Sequence, residues 1–228
     1  MEVKMLEIHS ERGITRPVLL IDSENLILVD TSYPLLSEAV LDAVRAADCD
    51  PAALTKVLLT HQDMDHVGCL KDILTRYPQI DVLCHEEEAP YIRGDLTPVK
   101  LQALPEGHEL RQAYVRRTVP VARTLRDGEW LNDCGGILAV HTPGHTPGHM
   151  CLYVEEARAL IAGDALNVEG GMLVGPNPAY TQDMALAYRS LSKLLALDIR
   201  RVFTFHGGMF QGDVQGALTA LLTSGPRS

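Results

Sequence analysis

The chain has 228 residues, of which 46% are hydrophobic and 22% charged, values that suit one large domain with a buried core. Its formal net charge is −10, and its lysine and arginine residues are scattered along the sequence. Proteins that bind nucleic acid carry a basic surface instead. We therefore expect neither nucleic acid nor any other bulk polyanion as a partner.

Cysteine usage and hydropathy predict the compartment. The five cysteines are spread singly, with no Cys-x-x-Cys spacing, which indicates reduced thiols in a cytosolic protein. The first residues carry charges from Glu2 onward and form no apolar segment, so we expect no signal peptide. No run approaches the roughly 18 apolar residues of a membrane helix. We predict a cytoplasmic protein that does not contact membranes, and a homodimer is compatible with the sequence.

Short apolar runs alternate with helical patterns along the chain. The predicted strands are Val18–Ile21, Leu26–Val29, Val57–Leu59, Val82–Cys84, Ile137–Val140, Cys151–Val154, Ala159–Ile161 and Val202–Phe205. Helices are predicted over 35–44, after Gly68, around Leu110–Val115, over 184–195 and from Val214 to Leu222. This alternation, with hairpin-like pairs near both ends, predicts an α/β fold whose sheets are covered by helices on their outer faces.

The segment from Glu86 to Asp127 differs from the rest of the chain. It is polar, contains four prolines and has no steady period. Ordered excursions of this length are commonly functional. Within a single domain spanning 1–228, we interpret 86–127 as an insertion that covers the substrate, and Tyr91 in it as a substrate contact.

Two imidazoles and two carboxylates follow the predicted strand Val57–Leu59 directly. The segment reads Thr-His-Gln-Asp-Met-Asp-His, and its candidate ligands are His61, Asp63, Asp65 and His66. Histidine and aspartate are the usual ligands of a divalent cation that keeps a reactive water bound. Solvated loops rarely concentrate these residues in this way, so the segment predicts a metal site.

Three further segments place a histidine or aspartate at the end of a predicted strand. They are the Pro-Gly turn that carries His145, the Ala-Gly-Asp segment that carries Asp164, and the Phe-His-Gly-Gly segment that carries His206. Several strand ends that each deliver a ligand indicate one convergent site. In a fifth segment, Val-Asp-Thr, we predict that Asp30 holds the His-Asp loop by hydrogen bonds.

In the order and context of these five segments, the chain resembles the metallo-β-lactamase superfamily, in particular its glyoxalase II and lactonase-like branch. The resemblance runs from the early strand pair to His206. It implies a four-layer αββα sandwich of two mixed β-sheets flanked by helices, with two divalent metal ions. The implied ligands are His61, Asp63 and His145 for one ion, Asp65, His66 and His206 for the other, and Asp164 as the bridge.

Asp63 departs from the family's usual first motif, His-x-His-x-Asp-His, because it stands where the second histidine belongs. The additional carboxylate makes the site harder, which favours iron or manganese relative to the zinc that the family implies. It also leaves less net positive charge to acidify a metal-bound water. The related flavodiiron oxidoreductases carry a carboxylate at this middle position too, although theirs is glutamate.

The resemblance implies a hydrolase whose bridging hydroxide attacks an ester, thioester or lactone carbonyl, with Asp65 as the catalytic residue that orients it. Two alternatives stay open. One is an iron redox protein of the same fold, mononuclear or dinuclear. The other is a ligand sensor that kept the metal site but lost turnover. His149 and His85 are predicted to orient ligands or to pack rather than to bind metal.

Small-molecule substrates are expected, but the sequence narrows them only partly. Asn167 stands where lactone-cleaving relatives carry a tyrosine, which weakens a lactone substrate. The sequence ends soon after His206, without the basic region by which glyoxalase II relatives bind glutathione, which weakens a glutathione thioester. The rigid Gly-Pro-Asn-Pro-Ala-Tyr segment is predicted to wall the pocket, so Asn167 and Tyr180 join Tyr91 as predicted substrate contacts.

Overall fold

Sixteen strands and seven α-helices occur in the computed structural model, which describes residues 1–226. The strands are β1 Glu2–Met5, β2 Ile8–Ser10, β3 Gly13–Thr15, β4 Val18–Ile21, β5 Leu26–Val29, β6 Leu54–Leu59, β7 Asp81–His85, β8 Arg123–Leu125, β9 Trp130–Leu131, β10 Ile137–His141, β11 Met150–Val154, β12 Ala159–Ile161, β13 Asn167–Glu169, β14 Met172–Val174, β15 Arg201–Thr204 and β16 Gly208–Gln211. The helices are α1 Ser37–Ala46, α2 Met64–Val67, α3 Leu70–Arg76, α4 Ala89–Arg93, α5 Glu109–Val115, α6 Met184–Leu191 and α7 Val214–Ser224. Short 3-10 helices span Pro51–Ala53, Val99–Leu101 and Ser192–Ala196.

Two six-stranded sheets form the centre of the molecule. The first has the order β1-β4-β5-β6-β7-β8, and the second has the order β16-β15-β12-β11-β10-β9. In the first sheet, strands β5 to β8 are parallel, whereas β1, β4 and β5 pair antiparallel. In the second sheet, β12 and β15 pair in parallel and the other pairs are antiparallel. Both sheets are therefore mixed, as predicted.

Side-chain alternation along β5 shows how the layers are packed. Leu28 points into a hydrophobic cluster shared with helices α1 and α3. Its neighbour Ile27 points the opposite way, into a second cluster shared with the other sheet, because successive side chains of a strand face opposite sides. On the far side of that sheet, Leu160 packs in a third cluster with α6 and α7. The layer order is helix, sheet, sheet, helix, which confirms the αββα sandwich.

Every predicted strand and helix is present. Strands β4, β5 and β12 have the predicted bounds, whereas β6 begins at Leu54 rather than Val57. The strands that the sequence did not predict lie at sheet edges or in the separate hairpins β2–β3 and β13–β14. Each has four residues or fewer, too few for a clear alternating pattern.

The segment between Glu86 and Asp127 contains α4, α5 and the edge strand β8, which pairs in parallel with β7. One part of it leaves the sheet and returns to nearly the same point. The amide of Val119 donates to the carbonyl of Ile92 over 3.1 Å, and a Cβ placed on Gly94 would lie 2.8 Å from Cγ2 of Thr118. We call residues 95–117 the covering segment after the predicted role, which stays a prediction; within it, the hydroxyl of Tyr114 donates to the carbonyl of Gln62 over 3.1 Å.

Two further properties of the described residues concern cysteines and long apolar helices. All five cysteines are free, as predicted, and four of them are buried. Among residues 1–226, no helix combines the length and the apolar character that crossing a membrane requires.

Candidate metal centre

Loops at one edge of the sandwich bring the seven predicted ligands together. The loop after β6 and helix α2 supply four of them, and the second sheet supplies the others from the ends of β10, β12 and β15. Their side-chain atoms form two groups. The first group is His61, Asp63, His145 and Asp164, and the second is Asp65, His66 and His206.

The first group converges on Asp63. Its Oδ2 lies 3.1 Å from Nε2 of His61 and 3.0 Å from Nε2 of His145. The same His145 nitrogen lies 3.4 Å from Oδ2 of Asp164. Ligand atoms bound about 2.1 Å from one ion lie roughly 3–3.5 Å from one another, so these separations match a coordination shell.

The second group converges on the other oxygen of Asp164. Its Oδ1 lies 3.4 Å from Nε2 of His66 and 3.5 Å from Nε2 of His206. Oδ2 of Asp65 lies 3.2 Å from the same His206 nitrogen. Asp164 therefore contacts both groups, each through a different carboxylate oxygen.

Three buried atoms test whether the residues suit metal ions. Nε2 of His61, Nε2 of His66 and Oδ1 of Asp164 have no hydrogen-bond partner among residues 1–226. Leaving such an atom unpaired costs about 1–3 kcal/mol. All three carry lone pairs and face one another across the centre, so divalent cations satisfy them together. The donor set therefore fits metal ions.

Asp30 fixes the His-Asp loop, as the sequence predicted. Its Oδ1 accepts from the amide of Thr60 over 2.8 Å, and its Oδ2 accepts from the Thr60 hydroxyl over 2.7 Å. The same Oδ2 lies 2.8 Å from Nδ1 of His66, which directs Nε2 of that ring to the centre. Asp30 has a φ of 59°, in the left-handed region that aspartate tolerates better than most residues.

His149 orients Asp164. Its Nε2 accepts from the amide of Asp164 over 3.1 Å, while its Nδ1 lies 2.9 Å from the hydroxyl of Thr142. This contact agrees with the orienting role predicted for His149. Gly163 makes it possible, because a Cβ there would lie 2.8 Å from that Nε2, and its φ of 50° also favours glycine.

The charges of the centre suit cation binding. Burial, followed by the nearby His66, lowers the pKa of His61 to about 4, so its lone pair is free at neutral pH. Burial alone would raise the pKa of Asp63, but His61 and His145 hold it well below its usual value. Despite burial, Asp164 and Asp65 raise the pKa of His206 to about 9, which reflects a strongly negative local potential. Neutral imidazoles and ionised carboxylates are the forms that bind metal, so a bound ion displaces the proton that this potential holds on His206.

Glu88, which no sequence pattern singled out, connects both ligand loops. It is fully buried. Its Oε1 accepts from the hydroxyl of Thr146 and the amide of Gly148, each over 2.7 Å, and its Oε2 accepts from Nε2 of Gln62 over 2.8 Å. Oε1 of Gln62 in turn accepts from the amide of Val99 over 3.0 Å. The carboxylate of Glu88 thus sets the direction of a hydrogen-bond chain that reaches the covering segment.

Replacing Glu88 by glutamine should loosen the covering segment. The NH₂ group of the new glutamine faces one of the groups that now donate to Glu88. If the side-chain amide of Gln62 rotates by about half a turn to accept from it, the NH₂ group of Gln62 faces the N–H of Val99. Such opposed donors cost about 1–3 kcal/mol. We expect hydrogen exchange at Val99 to accelerate by about tenfold or more, measured by mass spectrometry. The matched control is Glu87→Gln, on an exposed neighbour. Equal exchange in the two variants would contradict the role of Glu88.

A pH series checks the same residue independently. Burial raises the pKa of Glu88 from 4.5 to about 7, although three donors oppose the shift. The folded protein therefore holds this proton more tightly than the unfolded chain does. The contribution of this proton to the free energy of unfolding is complete below pH 4.5 and is lost as the pH rises through 7. The free energy of unfolding of the wild type relative to Glu88→Gln should fall over this range in urea titrations with chelator.

A cavity of about 510 Å³ opens beside the centre. Its walls outside the ligands include Arg12, Tyr33, Gln62, Met64, Pro98, Lys100, Leu101, Leu110, Tyr114, Leu166, Asn167, Asn177 and Tyr180. The predicted contacts Asn167 and Tyr180 line this cavity. Among residues 1–226, Tyr91 is not one of the side chains that line this cavity, and its role as a substrate contact stays a prediction. It lies on the short helix α4, before the covering segment begins.

A third His-containing cluster lies apart from the cavity. His85 and His141 stack with ring centroids 4.0 Å apart and ring planes inclined by 13°, and Glu87 lies nearby. Lone pairs of nearly parallel stacked rings point side by side and do not converge on one ion. This agrees with the prediction that His85 packs rather than binds metal.

Convergent histidine and aspartate side chains at the edge of an αββα sandwich define a candidate metal centre. The sequence profile of the Metallo-beta-lactamase superfamily matches residues 12–206. The chain therefore belongs to the metallo-β-lactamase superfamily.

Individual relatives support this membership. A probable metallo-hydrolase, YflN of Bacillus subtilis (strain 168), is 26% identical over 82% of this chain and 76% of its own length. A hydroxyacylglutathione hydrolase of Francisella tularensis subsp. novicida (strain U112) is 28% identical over 79% of this chain, which spans 57% of that relative. An atrochrysone carboxyl ACP thioesterase of Cryptosporiopsis sp. (strain 8999) is 27% identical over 88% of this chain, which spans half of that relative.

Solved structures share the fold. The crystal structure of a metallo-beta-lactamase family protein from Thermus thermophilus superposes with a TM-score of 0.75 at 28% identity, over 97% of this chain and 78% of that one. The B3 metallo-beta-lactamase BLEG-1 superposes with a TM-score of 0.69 at 20% identity, over 92% of this chain and 94% of that one.

Proposed function

We propose that the protein is a binuclear metal-dependent hydrolase that cleaves a thioester, an ester or a lactone. The observation that carries this proposal is the position of Asp164, whose two oxygens lie 3.4 Å from His145 in the first group and 3.4 Å from His66 in the second. A carboxylate between two ligand groups is suited to bridge a pair of ions. Two ions supply a nucleophilic hydroxide near neutral pH and polarise the substrate oxygen.

The side chains of the protein orient the attacking water and the metal ligands. Asp65 lies on α2 with its Oδ2 facing the centre, 3.2 Å from Nε2 of His206, where it orients the attacking water. Asp30 fixes the orientation of His66, and His149 fixes that of Asp164. The ligand geometry is therefore formed before substrate binds. The leaving group takes its proton from solvent at the open side, where the ring of His206 is 39% exposed.

The cavity favours an acyl group with an apolar body. Leu101, Leu110 and Leu166 provide apolar walls, and Asn167 and Tyr180 provide polar groups beside them. Pockets that combine apolar walls with few polar groups bind apolar ligands and orient them. Since one relative is named a thioesterase and another a hydroxyacylglutathione hydrolase, a thioester is our first choice of substrate.

Elemental analysis paired with a substrate panel tests the proposal. Protein purified without added metal should contain up to two divalent ions per chain. It should hydrolyse acyl thioesters faster than lactones, and phosphodiesters not at all. A chain that holds a single redox-active iron and cleaves none of these substrates would overturn the proposal. So would a metal-loaded chain without turnover, which would indicate a ligand sensor.

Asp63 sets the metal preference in this proposal. Zinc is the ion that the family implies, and the carboxylate of Asp63 shifts the site toward iron or manganese. We expect Asp63→His to raise the zinc content relative to iron and manganese by about tenfold, because one anionic oxygen ligand becomes a neutral nitrogen. The measurement is competitive metal loading followed by elemental analysis. An unchanged metal ratio would mean that Asp63 does not bind metal, and Asp42→His on exposed α1 surface is the control.

A further inference from the structure

Lys100 reaches from the covering segment into the first ligand group. It lies in the 3-10 helix Val99–Leu101, next to the residue whose amide is bound by Gln62. Its ammonium forms an ion pair with Oδ2 of Asp63 and lies 3.0 Å from Nε2 of His145. These are two of the atoms assigned above to the first metal ion.

The ammonium and a metal ion need the same lone pairs. Nδ1 of His145 lies 3.1 Å from the hydroxyl of Thr181, which leaves Nε2 as the nitrogen that faces the centre. That nitrogen has one lone pair, which accepts either a lysine N–H or a metal ion but not both. Occupancy of the first position by Lys100 and by a metal ion is therefore mutually exclusive.

The second ligand group has no such competitor. Within the described residues, neither Asp65 nor Asp164 forms an ion pair with a lysine or an arginine. Arg16 donates to the backbone carbonyl of His206 and not to a ligand atom of this group. The two positions thus differ in the charge that a metal ion must displace.

Asp63 explains why a lysine is tolerated at this place. Its side chain is nearly buried, and a buried carboxylate needs a cationic partner. A histidine, which the family's motif carries there, would give Lys100 no counter-charge. Asp63 and Lys100 therefore complement each other in this chain.

We propose that Lys100 competes with the metal ion for the first position, so that the two positions bind metal with unequal affinity. This inference rests on the proposed function. When a metal ion binds, the ammonium moves off Asp63, and its flexible stem has an alternative partner in the aromatic ring of Tyr180, whose centroid lies 5.7 Å from Nζ. In the metal-free protein, Lys100 neutralises Asp63 and keeps the first ligand group assembled.

The experiment is a Zn²⁺ titration of the full chain after chelation, with Lys100→Met compared with the wild type. The wild type should bind one ion tightly and a second more weakly. In Lys100→Met the weaker step should tighten by about tenfold or more, because no ammonium has to be displaced. Lys100→Gln, which keeps a hydrogen-bond donor without the charge, should behave like Lys100→Met. Lys71→Met, on the exposed surface of α3, should leave both steps unchanged.

Thermal unfolding gives a second readout that a merely structural role would not produce. Without metal, Lys100→Met should melt at a lower temperature than the wild type, because Asp63 loses its partner. With saturating Zn²⁺ the two should melt together. Equal second-step affinities in the wild type and both Lys100 variants would overturn the inference, while two bound ions with thioester turnover would still support the proposed function. A wild type that binds no Zn²⁺ would overturn both.

Discussion

Asp164→Asn should lower the metal content from two ions toward one or none and reduce hydrolysis by about 10³-fold or more. Asparagine has the same shape as aspartate, but one of its two ends is an NH₂ group without a lone pair for a metal ion. Only one of the contacts now made by Oδ1 and Oδ2 can then be kept. The remaining ion also loses a negative charge that holds it. Elemental analysis and thioester turnover measure the two effects.

Asp198→Asn is the matched control. This aspartate is exposed, pairs with Arg158 over 3.1 Å, and lies apart from the ligand loops. Its variant should keep the metal content and the rate of the wild type. Two bound ions and a near-normal rate in Asp164→Asn would remove Asp164 from the centre and with it the main support for a binuclear site.

Excising the covering segment should raise KM by about a hundredfold while the metal ions stay bound. Gly94 and Thr118 already lie against each other, so a short Gly-Ser link can replace residues 95–117. All seven ligands lie outside this stretch. The excision removes the walls formed by Leu101 and Leu110, and burial of each such side chain is worth about 1.5–3 kcal/mol. The measurements are KM and kcat for a series of acyl thioesters, together with metal content.

A pair of point variants keeps this prediction testable if the shortened chain fails to fold. Leu110 and Val115 both lie on α5 and are 47% and 61% exposed, but only Leu110 lines the cavity among the described residues. Leu110→Ser should raise KM and leave kcat unchanged, whereas Val115→Ser should change neither. Equal KM values for the two variants would mean that the covering segment does not select the substrate.

The convergence of the seven candidate ligands could be predicted because each segment that carries them follows a recognisable strand. The motif around His61 concentrates four candidate ligands within six residues, and His145, Asp164 and His206 each follow an apolar run. Such local signals can be recognised in the sequence without knowledge of the tertiary contacts. Asp30 could be given its supporting role for the same reason, since it follows β5.

The cavity walls and the supporting contacts could not be predicted in this way. Arg12 and Asn177 meet in one cavity although a long stretch of chain separates them, and nothing in the local sequence of either indicates this. Glu88 is one of three consecutive glutamates, and only tertiary packing distinguishes the buried one from its exposed neighbours. Lys100 looks like an ordinary surface lysine. Tyr91 and Tyr114 share a polar segment, yet only the second reaches the cavity.

Each six-stranded sheet is built from a contiguous half of the chain, the first from strands within residues 2–125 and the second from strands within residues 130–211. The ligands are divided in the same way, with His61 to His66 on one half and His145, Asp164 and His206 on the other. Metal ions bound by ligands from both sets would therefore cross-link the two halves of the chain. By mass action, metal binding would add to the stability that the hydrophobic interface between the two sheets provides.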